Sequence, residues 1–83
     1  MQWQKISNVT PSLNHLFIMI IRGTPYFAKR FLYEGQDLIV FCASYSSIRP
    51  DDPVTLMRYN VPRDLAEFKA DDSILWGYFD MPR

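Results

Sequence analysis

Eighty-three residues, 48 % hydrophobic, 16 % aromatic and 22 % charged, fit one domain spanning 1–83 with a genuine core. That excludes a disordered tail, whose low apolar content cannot offset chain entropy. Nine basic and nine acidic side chains cancel to zero, so the dense basic surface needed for generic nucleic-acid binding is missing and nucleic acid is not the expected partner.

The charges are unevenly placed. Residues 1–50 carry +3 and residues 51–83 carry −3. The acidic half is either a solvated face or a surface that steers a basic partner. The lone cysteine, Cys42, has no partner for an internal disulfide, which favours a reducing cytoplasm. The N-terminus lacks the features of a signal peptide, so residues 1–83 are expected to be the mature protein. The longest apolar run, Leu16 to Ile21, is far short of the roughly 20 residues that cross a bilayer, and no membrane association is expected.

In chain order, Trp3 to Ile6 reads as a short edge strand and Asn8 to Asn14 as a loop broken by Pro11. His15 to Arg22 is rich in β-formers and apolar on both faces, which predicts a strand. Gly23-Thr24-Pro25 supplies turn chemistry, and Tyr26 to Leu32 returns to complete a hairpin. Tyr33-Glu34-Gly35-Gln36 is a second turn. Asp37 to Ala43 is a third strand, apolar on both faces and so expected to be central.

Ser44 to Pro53 reads as a polar loop and Val54 to Tyr59, by its alternation, as a fourth strand. Asn60 as a cap and Pro62 in the opening turn predict a short helix over 62–69, with Val61, Leu65 and Phe68 inward. Ile74 to Phe79 is the last strand, its Gly77 marking a bulge or close backbone contact. The expected fold is mainly β: a small antiparallel, partly coiled sheet of about five strands with one short helix.

Chemistry is sparse. One His and one Cys cannot make a zinc site. The pairs Asp51-Asp52 and Asp71-Asp72 lack a calcium-loop pattern and read as solvated carboxylates, so no metal and no cofactor are expected. His15 has no sequence-local partner, and Cys42 lies in an apolar strand that makes a thiol inert. The three glycines are isolated, unlike a phosphate-binding loop. Lys29 is the unusual residue. It alternates with Phe27 and Phe31, and so either extends its ammonium to the sheet edge or is desolvated into a usable base.

The stretch His15 to Ile48 resembles part of the self-cleaving peptidase domain of LexA-type repressors, phage CI-type repressors and UmuD-like proteins. Leu16 to Ile21 stands for that family's first strand and Gly23 for its turn. Phe27-Ala28-Lys29-Arg30-Phe31 stands for the lysine strand. Leu38-Ile39-Val40 with Tyr45-Ser46-Ser47-Ile48 stands for the third strand, and Asp72 to Phe79 looks like the closing one, with Gly77 at the family glycine. The resemblance implies that Lys29 is equivalent to the family's catalytic lysine. It also implies a contact along Ile74 to Phe79, because the family dimerises through its C-terminal strand.

The departures from the family point away from catalysis. Only twenty-eight residues precede Lys29, Ser7 and Ser12 lack the Gly-x-Ser-Met context, and the cleavage dipeptide is missing. A lysine base without its serine forms no covalent intermediate.

The expected function is therefore a non-catalytic protein-interaction module. Its expected setting is a phage- or mobile-element-type regulator binding a host protein such as a LexA-type repressor. Candidate contacts are Trp76, Tyr78, Phe79, Asp51, Asp52, Asp71 and Asp72, with core packing as the competing role for the aromatics. The alternatives are a small inhibitor of a bacterial defence nuclease, anti-CRISPR-like or anti-restriction, and a lysine-dependent peptidase fragment that imports its serine. Forty-eight per cent hydrophobic residues in so small a domain also leaves a homodimer open.

Overall fold

The β2–β3 hairpin and the strand that follows it set the architecture. In a computed structural model describing residues 2–79, β2 (Leu16–Ile21) pairs antiparallel with β3 (Thr24–Tyr33), and β3 with β4 (Gln36–Cys42). Each connection is a two-residue turn. Arg22 and Gly23 have φ of 51° and 81°, Glu34 and Gly35 φ of 50° and 77°. Left-handed residues at both central positions give the turn a twist that matches the flanking strands. The first turn thus sits one residue earlier than the Gly23-Thr24-Pro25 reading, and Thr24 and Pro25 already belong to β3, Pro25 opposite Ile20.

The remaining strands are short. β1 (Gln4–Lys5) and β6 (Leu75–Tyr78) pair antiparallel, and β6 lies against β2. β5 (Arg63–Asp64) adds two residues to the edge of β4. The order is β1-β6-β2-β3-β4-β5, an open sheet of six antiparallel strands among the described residues. Mainly β character is as expected from the sequence. The Cα radius of gyration, 11.9 Å, is that of a compact chain of this length, about 12 Å.

Helices correct two sequence readings. Val54 to Tyr59 is no strand: α2 (Pro53–Tyr59) is a helix. The Asp52 carboxylate accepts hydrogen bonds from the Thr55 backbone N–H at 3.2 Å and its hydroxyl at 2.8 Å, and Pro53 occupies the first turn. An N-cap aspartate followed by proline is a start signal that outweighs six residues of alternation. Burial follows the helical period, with Leu56 and Asn60 inside and Val54 and Arg58 outside. The Ser44–Pro53 loop also contains a single helical turn, α1 (Tyr45–Ile48).

The predicted 62–69 helix is shorter and starts later, as α3 (Leu65–Lys69). Asn60 does not cap it. Asn60 ends α2, where its side-chain NH2 donates to Leu56 O at 2.9 Å and Ser47 O at 2.8 Å, tying α1 to α2. Arg63 and Asp64 pair with β4 instead of helix, so Asp64 becomes the residue before α3, and Val61 is 79 % exposed.

The sheet has a core on each face. One holds Ile6, Phe17, Met19, Ala28, Ile39, Leu65, Phe68, Ile74 and Trp76, under α3 and the N-terminal loop. The other holds Phe31, Leu38 and Val40 beneath Ile48 of α1 and Leu56 of α2. β4 is covered on both faces, as its sequence predicts. β2 is not.

Candidate partner-binding surface

Strand alternation places Leu16, Ile18 and Ile20 of β2 on the α1/α2 face, together with Phe27 of β3 and Leu75 of β6. α1 and α2 pack on β3 and β4. Over the β2–β6 half of that face no described helix lies, and Leu16, Ile18, Ile20 and Leu75 stay half-buried. Phe79 closes one border, its ring edge-on to Phe27 at 5.7 Å, and Tyr45 of α1 lies 5.5 Å from the same Phe27 ring. No charged side chain belongs to this face of β2 or of Leu75–Phe79. Single hydrophobics elsewhere, such as Val61, Tyr59 and Leu32, are more exposed, but Leu16, Ile18, Ile20 and Leu75 adjoin one another on neighbouring strands.

Lys29 borders this surface on β3 and is 7 % exposed. Its stem lies between Phe27 and Phe31, and its ammonium donates to Arg49 O at 3.3 Å, Pro50 O at 3.0 Å and Asp51 Oδ1 at 3.2 Å. Three donors meet three acceptors, which is the full capacity of an ammonium. The residue is buried and holds the 49–51 loop by its ammonium. No serine is among its partners.

The other sequence candidates are dispersed. Trp76 is 1 % exposed, with its indole N–H donating to Val9 O at 2.8 Å and its ring edge-on to Phe17 and Tyr78. It fills the core. Tyr78 is half-buried: its hydroxyl accepts from Ser12 N at 3.0 Å and donates to Ser12 Oγ at 2.9 Å, fixing the N-terminal loop. Phe79 alone of the three belongs to the half-covered face.

The carboxylates have local tasks. Asp51 holds Lys29 and Asp52 caps α2. Asp71 accepts from Ser73 N at 2.9 Å and Ser73 Oγ at 2.6 Å. These hydrogen bonds hold the Asp52 and Asp71 carboxyls below the usual carboxylate range. Asp72 is exposed. Among the described residues no three His, Cys, Asp or Glu side chains gather as a metal site, and no helix is long and apolar enough to cross a membrane.

Sequence reasoning missed the clamp on the opposite face. Arg30 donates from Nε to Asp37 Oδ1 at 2.8 Å, from one terminal nitrogen to Asp37 Oδ2 at 2.5 Å, and from the other to Pro11 O at 2.8 Å. This forked bond holds the Asp37 carboxyl below its ordinary range and ties the N-terminal loop to the sheet. The signal was available in part: register pairs Leu32 with Asp37, so Arg30 and Asp37 share a face.

Comparison with protein-family models, curated proteins and solved structures finds no match to this chain.

Proposed function

We propose that this chain is a non-catalytic protein-interaction module that docks a partner on the half-covered face of β2 and β6. The observation that carries the reading is the Ile20–Leu75 cross-strand pair with Ile18 beside it, a partly buried, uncharged surface on the sheet. Contiguous apolar surface of this kind marks interaction sites in small soluble domains. The sequence resemblance gives the partner class: a host protein such as a LexA-type repressor, with the chain acting as a phage- or mobile-element-type regulator.

Two observations weigh against the alternatives. The peptidase reading needs the Lys29 ammonium to activate a serine, and all three of its donors are occupied. Inhibition of a defence nuclease by phosphate mimicry needs a strongly acidic surface, and here nine acidic side chains are balanced by nine basic ones.

The test is a paired capture from bacterial lysate with tagged wild-type chain and a Leu75→Lys variant, the bound proteins being identified by mass spectrometry. Lysine keeps an apolar stem on the strand and adds a charge to the face. Recovery of a LexA-type repressor by the wild type and not by the variant is the expected result. Equal recovery by both sinks the proposed face, and recovery of a nuclease complex instead transfers the reading to defence inhibition.

A further inference from the structure

A groove of about 390 Å³ opens on the opposite face of the sheet, between α3 and the tip of the β2–β3 hairpin. Its apolar lining is Ile21, Phe41, Phe68 and Ile74, and its charged lining is Arg22, Arg63, Glu67 and Asp71. The volume falls within the span typical of small-ligand sites, roughly 300–1,000 Å³.

The arrangement of charge is informative. Two guanidiniums and two carboxylates surround the groove, yet among the described residues none of the four reaches an opposite charge within 4.0 Å. Arg22 comes from the hairpin tip, Arg63 from β5, Glu67 from α3 and Asp71 from the loop after it. Both signs thus stand round one apolar floor without an ion pair, although Arg22 is near enough to Asp71 to help lower its pKa. A ligand that matches must carry both signs close together and an apolar group beside them.

We infer that this groove binds a small zwitterion with an apolar side chain, of the hydrophobic amino-acid or short-peptide class. The ligand carboxylate is taken by the Arg63 guanidinium, whose fork suits two parallel hydrogen bonds to one carboxylate. The ammonium is taken by Glu67 or by the Asp71 oxygen that Ser73 leaves free. The apolar side chain rests on Phe41 and Phe68. This inference does not rest on the partner-docking reading, because it uses the other face of the sheet.

The experiment is amide NMR of the full chain titrated with L-phenylalanine, N-acetyl-phenylalanine, phenylalanine amide and the dipeptide Phe-Phe. Saturable shifts at Ile21, Phe41 and Phe68 are expected with the amino acid, with Kd on the order of 1 mM. The two blocked forms, each lacking one charge, bind at least about tenfold more weakly. Arg63→Gln weakens phenylalanine but leaves the amide form unchanged, since that form has no carboxylate to lose. The same spectra report that the variant is folded.

Tighter binding of the dipeptide than of phenylalanine supports the inference and assigns the source to peptides. The reverse order supports it and assigns the source to free amino acids. Absence of saturable shifts, or equal binding of the zwitterion and both blocked forms, overturns it.

Discussion

Lys29 and Asp51 meet at 3.2 Å with side chains 8 % and 98 % exposed, one end of the pair inside the protein and the other in solvent. The asymmetry separates two contributions that a symmetric ion pair confounds. Solvent screens the Asp51 end, where such pairs contribute about 0–1 kcal/mol. The Arg49 and Pro50 carbonyls depend on the ammonium more heavily.

Asp51→Ala should therefore cost under about 1 kcal/mol in urea denaturation. Lys29→Ala should cost about 2–4 kcal/mol, since it removes the packed stem and leaves both carbonyls without that donor. Lys29→Met should fall between them. Equal costs for the Asp51 and Lys29 truncations would contradict this division.

Stability should fall in acid through the Arg30–Asp37 clamp. Asp37 has a lowered pKa in the folded state, so the unfolded chain binds more protons as pH drops. The contribution is fully present above the unfolded carboxylate value of about 3.9 and is lost as pH falls through the folded value. Asp52 and Asp71 act in the same direction. Asp37→Asn should lower stability at neutral pH and flatten the decline below pH about 4, followed by acid titration of the circular dichroism signal.

The hairpin turns give a backbone prediction free of packing. A Cβ at Gly35 meets nothing within 4 Å, but φ is +77°. Gly35→Ala should cost about 1–2 kcal/mol from conformation alone. Glu34, at φ 50°, already carries that strain, so Glu34→Asn should stabilise by about 0.5–1 kcal/mol. Thermal melts of the two variants should move in opposite directions.

Asn60 links two helices the sequence did not foresee. Its buried amide donates to one carbonyl in α1 and one in α2. Asn60→Ala should cost about 1–3 kcal/mol and raise hydrogen exchange in both helices. Loss of protection in α2 alone would mean that the bridge does not couple them.

The strands were legible where local chemistry was complete. The β-branched and aromatic runs from Leu16 to Cys42, broken by Gly23 and Gly35, carry hairpin pairing in their own composition. The helices were less so, because α1 and α2 are four and seven residues long and alternation cannot be distinguished from a single helical turn at that length. Asp52-Pro53 is the decisive signal, and it lies at the end of a polar stretch with loop composition. Arg63 and Asp64 left the helix because the edge of β4 offered hydrogen bonds, a tertiary effect no local pattern carries.

The surface was half legible. Apolar residues on both faces of β2 predicted a strand, which lies third in the sheet order. That α1 and α2 would pack on β3 and β4 and leave Ile18 and Ile20 half-covered depended on where the 44–60 segment settled. The aromatic stripe 76–79 divides similarly. Alternation turns Trp76 and Tyr78 to one face and Phe79 to the other, so only Phe79 joins the half-covered face.

The most direct test is methyl NMR of the chain titrated with a purified LexA-type repressor. Docking on this face predicts saturable shifts at the Ile18, Ile20 and Leu75 methyls, with Ile39 on the opposite face unmoved and all shifts lost in Leu75→Lys. Shifts confined to other methyls, or none at saturating repressor, would contradict docking of that partner on this face.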